Sequence, residues 1–316
     1  MKVKNFAMRF APILGLLILI AAYILIGKNK GINLPYGIRT IVNQSIVVAV
    51  VATGAVFIYT LGAFDISLGA SAAVSALLAG MVYLRTESLV LMFLTCIGVA
   101  IAVALTNSML ASVFHLPVFV TTIAMLSVLN ALVLLLIGIN GTGSEIKVPA
   151  GAVSGLDTIG FKALVLIAYF AFCLFFFDFT PVGRREKFIG GNALCAKLTG
   201  ISVSRYSIIA FVLCGVGVGL GAFLSIVYAP TLTRSTASSV GMDVIIAIVF
   251  GGMPVSGGAK SRIYSAVIGA FSMTFLGQIM TMLSMDSGRG QMVKAVIFLL
   301  VVYVAAGTRT KRVLVR

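Results

Sequence analysis

The chain has 316 residues, of which 60% are hydrophobic and only 10% are Asp, Glu, Lys or Arg. Soluble domains carry about 25% charged residues, so this composition excludes an ordinary soluble domain, and with it a soluble nucleic-acid-binding protein, despite a net charge of +15. The apolar runs are continuous and about 17–25 residues long, as transmembrane helices require, and lack the alternation of barrel strands. The sequence therefore predicts an all-α polytopic protein of the lipid bilayer.

Ten apolar runs, separated by polar residues or by glycine and proline, are predicted to cross the membrane. No cleavage site of small residues follows the first run, so we expect it to stay attached as the first helix. Every loop is short, and the whole chain, 1–316, is predicted to form a single transmembrane domain. In chain order the predicted segments are 10–27, 41–62, 66–84, 89–113, 118–139, 162–179, 207–229, 243–255, 262–285 and 291–307.

The distribution of Lys and Arg predicts the orientation of these segments. With the N-terminus inside, ten crossings return the C-terminus to the same side. Counted this way, 14 of the 23 Lys and Arg residues lie inside, 8 lie outside and Lys294 lies within a segment. Cytoplasmic loops carry the excess of positive charge in membrane proteins. We therefore expect both termini and the loop at about 181–206 to be cytoplasmic.

The segment 243–255 is too short to cross about 30 Å of hydrocarbon at 1.5 Å per residue. It ends in Gly251-Gly252-Met253-Pro254. Broken helices are tolerated in membranes where they line a cavity or pack inside protein. We interpret this one as a candidate lining of a translocation path; the alternative is a peripheral half-helix that only packs.

The loop 181–206 contains a predicted short amphipathic helix. Asn192 is a suitable N-cap and Gly200 a suitable left-handed C-terminal residue. Leu194, Leu198 and Ile201 recur at i, i+4 and i+7 on one face. Four basic residues, Arg184, Arg185, Lys187 and Lys197, surround this face. We expect a helix presented for docking, the alternative being a solvated basic loop that enforces topology.

Polar residues at or near the predicted segments are candidates for a translocation path. Neutral polar side chains suit a sugar better than an ion, although each is also a common interhelical hydrogen-bonding residue. Asp65 is an acid at a break, where it lines the path or caps the next helix. Asp243 carries the same two interpretations. The path candidates are Asn43, Gln44, Ser45, Asp65, Asn107, Thr121, Thr122 and Gln278.

Catalytic, metal and cofactor sites are not predicted. The four cysteines, Cys96, Cys173, Cys195 and Cys214, lack metal-ligand spacing, and three of them lie in apolar runs. The single histidine, His115, is interpreted as a loop residue. The stretch 252–261 resembles a phosphate-binding loop, but Gly258 and Ala259 separate the glycine pattern from Lys260 and Ser261. The stretch therefore does not predict a nucleotide-binding site in this chain.

Five stretches together resemble the permease subunits of bacterial ABC importers of the ribose and branched-chain amino acid type. They are Gly62-Ala63-Phe64-Asp65-Ile66-Ser67-Leu68-Gly69, Asn107, Pro117-Val118-Phe119-Val120-Thr121-Thr122, the loop 190–201, and 243–252 followed by Val255-Ser256-Gly257-Gly258. Ser108, Ala124-Met125 and Met253-Pro254 depart from the family pattern. The resemblance covers most of the chain.

The resemblance implies the transmembrane subunit of an ATP-driven importer in the bacterial inner membrane, which moves a small polar solute, a monosaccharide such as ribose. It implies three partners: a cytoplasmic ATP-binding subunit, an extracytoplasmic solute-binding protein, and a second permease subunit, identical or related. The residues expected to couple to the ATPase are Gly190, Gly191, Asn192, Leu194, Lys197, Leu198 and Gly200.

Two other classes of function remain as alternatives. An ion-coupled secondary transporter would need carboxylates or a relay in mid-membrane. All eight acidic residues lie in loops or at the ends of segments, which counts against it. A membrane-embedded enzyme would need a nucleophile or metal cluster, and one histidine without paired carboxylates makes that class a poor fit.

Overall fold

A computed structural model describes residues 2–31, 34–114, 116–139, 145–234, 236 and 240–313. Within these residues the chain forms helices joined by short turns, with one two-stranded sheet. The helices are α1 Lys2–Asn29, α2 Leu34–Thr60, α3 Leu68–Thr86, α4 Leu89–Val113, α5 Val118–Ile139, α6 Ala150–Val153, α7 Ile159–Leu174, α8 Pro181–Gly191, α9 Ala193–Leu198, α10 Val203–Tyr228, α11 Val240–Phe250, α12 Tyr264–Met282 and α13 Ser287–Val313. The strands are β1 Glu145–Lys147 and β2 Thr231–Thr233; a 3₁₀ turn spans Ser154–Leu156, and a π-helical turn, Phe175–Phe179, extends α7.

The polytopic helical architecture predicted from composition is confirmed. Eight helices in the described part of the chain are long and apolar enough to cross a membrane: α1, α2, α3, α4, α5, α7 with its π-helical extension, α10 and α12. Each overlaps a predicted segment. The long helix α13 coincides with the tenth predicted segment, while the total of ten crossings stays a prediction. The small sheet was not predicted.

Helices α2 and α10 form the centre of the bundle. The apolar stretch of α2 is 89% buried, against 11% for α1 and 22% for α4 and α5, which therefore lie at the periphery. Helix α10 packs against α2 on one side and α4 on the other. A single large core results, which includes Phe57 of α2 and Phe211 of α10.

Glycines on α10 allow this close packing. A Cβ on Gly219 would lie 2.6 Å from Ile97 Cα of α4, and one on Gly217 would lie 2.7 Å from the Tyr169 hydroxyl of α7. A Cβ on Gly221 would lie 2.5 Å from a methyl group of Val51. Small residues that let helix backbones approach are the usual contact in membranes.

The predicted broken helix is confirmed as α11, which has only 11 residues. It packs tightly against α12, because a Cβ on Gly251 would overlap the Ser265 carbonyl and one on Gly269 would overlap the Ala247 carbonyl. The chain then turns at Gly252, whose φ of 91° suits glycine. The half-helix is thus internal to the bundle rather than peripheral.

The alternating topology places certain loops on the same side of the membrane, and these loops contact each other in the structure. On the predicted inner side, the Gly258 amide donates to the Thr60 carbonyl at 2.9 Å, beside Gly190. On the predicted outer side, β1 pairs antiparallel with β2, with Ile146 opposite Leu232. The contacts agree with the alternation of the predicted crossings, while the orientation relative to the cytoplasm stays a prediction.

Candidate functional site

The cytoplasmic loop of the prediction forms two short helices, α8 and α9. Pro181 occupies the first turn of α8, and the Thr180 hydroxyl accepts from the Val182 amide at 3.2 Å. Asn192 caps α9, its side-chain oxygen accepting from the Cys195 amide at 3.0 Å. Gly200, with φ of 81°, closes the helix. Both caps expected from the sequence are confirmed.

The exposed surface of α9 carries the two leucines of the predicted docking face. Leu194 is 68% and Leu198 is 79% exposed, and Lys197 beside them is exposed. The opposite side is anchored, because Ala196 is fully buried in a cluster that Ile201 joins. Only two of the three residues predicted to share the docking face are therefore exposed; Ile201 packs beneath the helix.

The pair of helices is fastened to the bundle at Gly190. A Cβ at this position would overlap the Thr60 carbonyl oxygen and lie 2.9 Å from the Gly258 amide nitrogen. The same carbonyl accepts the Gly258 amide. The loop helices thus touch both the C-terminal end of α2 and the glycine loop after α11. Gly191, by contrast, has open space around its Cβ position.

Glu186 lies on the buried face of α8, a feature that sequence reasoning missed. It is 0% exposed, and neither carboxylate oxygen has a hydrogen-bond partner among the described residues. Burial raises the pKa of this carboxyl well above its ordinary 4.5, while the neighbouring Lys187 opposes the shift. Lys187 itself pairs with Asp178 at 2.9 Å. Lys187, one of the four basic residues predicted to surround the docking face, thus forms an ion pair within the chain.

A polar network occupies the break between α2 and α3. Asp65, 3% exposed, accepts from the Ser67 amide at 2.7 Å and the Ser67 hydroxyl at 2.6 Å. The Asn107 side-chain nitrogen, from α4, donates to the Ser67 hydroxyl at 2.9 Å. The Thr122 hydroxyl, from α5, donates to the Phe64 carbonyl of the same loop at 3.4 Å. The structure therefore brings together three path candidates, Asp65, Asn107 and Thr122.

A small cavity adjoins this network, between α3, α4 and α10. Asp65, Ser71 and Asn107 supply its polar lining, and Phe211 and Cys214 are among its apolar lining residues. Its volume of ≈ 10 Å³ is close to the space that one water-sized sphere needs. The polar break thus adjoins a space for about one water molecule.

A second polar cluster lies at the predicted outer end of α2. The Lys162 ammonium, only 2% exposed, donates to the Asn43 side-chain oxygen at 2.8 Å and forms an ion pair with Asp157. It also lies 5.6 Å from the centre of the Tyr228 ring. Asp157 contacts Arg39 at 3.6 Å. The cluster joins α2 and α7 to the segment that carries β1.

The other path candidates are dispersed. Ser45 is fully buried, and its hydroxyl has no partner in the described part of the chain. Thr121 bonds within its own helix, to the Val118 carbonyl at 2.8 Å. Gln44 is exposed and Gln278 is half-buried. Their place on a path stays a prediction.

One ion pair links the half-helix to the last helix. Lys294 of α13 lies 2.5 Å from Asp243, in the first turn of α11, and both side chains are less than one fifth exposed. Asp243 is thus paired rather than a free path carboxylate. The signal was available in the sequence, since a lone lysine inside an apolar segment needs an acidic partner.

The burial of Lys162 was also missed in the sequence, where this residue stands at the start of a predicted segment. The structure shows it as a buried cation. Three of the cysteines, Cys96, Cys173 and Cys214, are buried as predicted, and Cys195 is exposed on α9. No group of three potential metal ligands occurs among the residues searched, which are those the structure describes. His115 lies outside the described residues.

A bundle of long apolar helices, a short internal half-helix and a capped helix pair at one end define a polytopic membrane transport protein. A family model described as branched-chain amino acid transport system / permease component matches residues 37–305. The chain belongs to this family.

Proteins of known name are similar in sequence to this chain over most of its length. The ribose import permease protein RbsC of Escherichia coli strain K12 is 25% identical over 314 residues, which cover 95% of this chain and 94% of the relative. The RbsC of Bacillus subtilis strain 168 is 27% identical over 298 residues, covering 93% and 91%. The autoinducer 2 import system permease protein LsrC of Escherichia coli O9:H4 strain HS is 26% identical over 262 residues, covering 81% and 75%. No solved structure matches the chain significantly. The chain is thus a multi-pass protein of the bacterial inner membrane, as predicted.

Proposed function

We propose that this chain is the membrane-spanning subunit of an ATP-driven importer of a small polar solute, a monosaccharide such as ribose. The observation that carries the proposal is the pair of exposed leucines on a capped helix, fixed directly to the ends of bundle elements. Family membership supports the transport role, and two relatives named for ribose import support the solute class.

A separate cytoplasmic ATPase would supply the energy. Leu194 and Leu198 form an apolar contact that suits a groove on such a partner, and Lys197 would steer the encounter. Gly190, Gly191, Asn192 and Gly200 would serve this contact by shaping the loop rather than by touching the partner.

Force applied to α9 would reach the bundle through Gly190. Because Gly190 packs on both Thr60 and Gly258, a displacement of α8 must move the end of α2 or the loop after α11. Close-packed contacts transmit such strain rather than absorb it. We infer that ATPase closure and opening rearrange α2 and α11 around the translocation path.

We assign the other two proposed partners to other surfaces of the chain. The strand pair β1–β2 and the Lys162 cluster stand at the opposite end from α9, where an extracytoplasmic binding protein would deliver solute. Large apolar side chains on α1, α4 and α7, such as Leu25, Leu94 and Leu164, are exposed in the single chain. They are suited to lipid or to a second permease subunit.

Co-purification from native membranes tests the proposal. We expect a cytosolic ATPase to be recovered with the chain and its hydrolysis of ATP to rise when solute and binding protein are present. Recovery of the chain alone, together with ATP-independent uptake driven by an ion gradient, would favour the secondary transporter instead.

The predicted sidedness has its own test in Cys195, since the other three cysteines are buried. A membrane-impermeant maleimide should label Cys195 in inside-out vesicles and leave it unlabelled in right-side-out vesicles. A Cys195→Ser variant is the control for background labelling. The opposite pattern would place α9 outside and remove its role in coupling.

A further inference from the structure

The Asp65 carboxylate is buried without a basic partner. It forms no ion pair with Lys or Arg in the described residues, and none of the residues that line the adjoining cavity is basic. An uncompensated charge inside a membrane protein is costly, by several kcal/mol even after relaxation. Such a group needs either a proton or a cation.

The hydrogen bonds around Asp65 favour the ionised form. Its Oδ1 accepts both the amide and the hydroxyl of Ser67. Because the Ser67 hydroxyl proton is committed to the carboxylate, its oxygen can only accept, and Asn107 must present its Nδ2 to it. The same Nδ2 lies 3.5 Å from Asp65 Oδ2. The groups facing the carboxylate are therefore donors.

This arrangement leaves acceptor oxygens available beside the cavity. Asn107, 1% exposed, lines the cavity, and its Oδ1 has no hydrogen-bond partner within the described chain. Carboxylate, amide and hydroxyl oxygens are the ligands of hard cations, and unwound backbone at a helix break is where membrane transporters hold sodium.

We propose that the cavity beside Asp65 binds one alkali-metal cation, Na⁺ or K⁺, with the Asp65 carboxylate and the Asn107 Oδ1 as ligands. One cation matches the single negative charge, and the cavity has the volume of one water-sized sphere. A hydrated Mg²⁺, which keeps several waters, is too large for it. The cation holds the α2–α3 break against α4, and this role is independent of the solute and of the ATPase.

The test uses the purified full chain in lipid nanodiscs, without solute or partners. Thermal unfolding is followed in NaCl, KCl and choline chloride at equal ionic strength and pH. We expect Na⁺ or K⁺, but not choline, to raise the melting temperature in a saturable way. At ten times the dissociation constant, the folded-to-unfolded ratio should rise about elevenfold.

Asp65→Asn, which keeps the shape of the side chain, should abolish this ion dependence. Asp286→Asn, which alters an exposed acid in the turn before α13, should retain it. Broadening of the ²³Na resonance by the unmodified protein, reversed by the competing ion, gives a second readout that needs no variant.

Equal stability of the unmodified protein in all three salts, with no ²³Na broadening, would overturn the proposal and leave a protonated Asp65. In that case the carboxyl proton of Asp65 is donated to the Ser67 hydroxyl oxygen, while the Ser67 amide still donates to the carboxyl. An ion effect that persists in Asp65→Asn would equally overturn the site. Neither result bears on the transport proposal, because no ATPase or solute is present.

Discussion

Truncating the two exposed leucines of α9 should uncouple the chain from the proposed ATPase. Complete burial of a leucine side chain is worth about 1.5–3 kcal/mol. Since Leu194 is 68% and Leu198 is 79% exposed, docking can bury most of each, for about 1–2 kcal/mol per residue. The double variant Leu194→Ala/Leu198→Ala should therefore lose about 2–4 kcal/mol of binding, which weakens the complex roughly 30- to 1,000-fold.

The assay measures binding of the co-purified ATPase to the chain in nanodiscs, together with solute-stimulated ATP hydrolysis. Leu164→Ala/Ile167→Ala is a matched control, because these α7 side chains are 64% and 65% exposed on a spanning helix. The control should bind normally, and Leu194→Asp/Leu198→Asp should show no stimulation while inserting normally in the membrane. Unchanged affinity and stimulation in both α9 variants would refute the docking role of this helix.

Three further predictions concern the contacts that support the site. Gly190→Ala should cost about 1–3 kcal/mol, because its Cβ overlaps the end of α2, whereas Gly191→Ala should be tolerated; thermal unfolding and stimulated ATP hydrolysis distinguish the two. Asp243→Asn leaves Lys294 unpaired and should lower the melting temperature. The exchange Asp243→Lys/Lys294→Asp should restore stability only in part, since an acid is favoured at the start of α11; equal stability of the single and exchanged variants would contradict the pairing. Glu186, whose pKa is raised by burial, should make the protein less stable as pH rises above about 4.5, because the unfolded chain ionises there and the folded chain does not. The slope is about 1.4 kcal/mol per pH unit at most, and Glu186→Gln should remove it from the unfolding free energy measured between pH 4 and pH 8.

Features that depend on local sequence were predictable. The caps at Asn192 and Gly200 and the short helix α11 follow from side chains and backbone preferences within a few residues. Segment ends agree with the helices to within a turn or two, because apolar length is a direct requirement of the bilayer. The break between α2 and α3 was predicted, at 62–69, from its glycines and polar residues.

The identity of the distant residues that contact each other was not predictable, even where a lone lysine in an apolar segment showed that it needs an acidic partner. Lys162 and Asn43 are 119 residues apart, and Asp243 and Lys294 are 51 apart. Periodicity shows which face of a helix is apolar but not which helix covers it. The β1–β2 sheet was missed because each strand has three residues, too few for a detectable alternation. The network of Asp65, Asn107 and Thr122 likewise requires α3, α4 and α5 to converge.

The two most deeply buried acids of the described chain, Asp65 and Glu186, are also without an ion-pair partner there, whereas the acids that do form ion pairs are all partly exposed. Both lie on elements that meet at Thr60: Asp65 in the loop that follows it, and Glu186 on the helix packed against it. An unpaired buried carboxyl is costly in one packing arrangement and less so in another that gives it water or a cation. We expect a movement of Gly190 relative to Thr60 to change the surroundings of both groups. The proposed coupling movement would therefore act on the two acids whose burial is least compensated, at the junction of α8 with the end of α2.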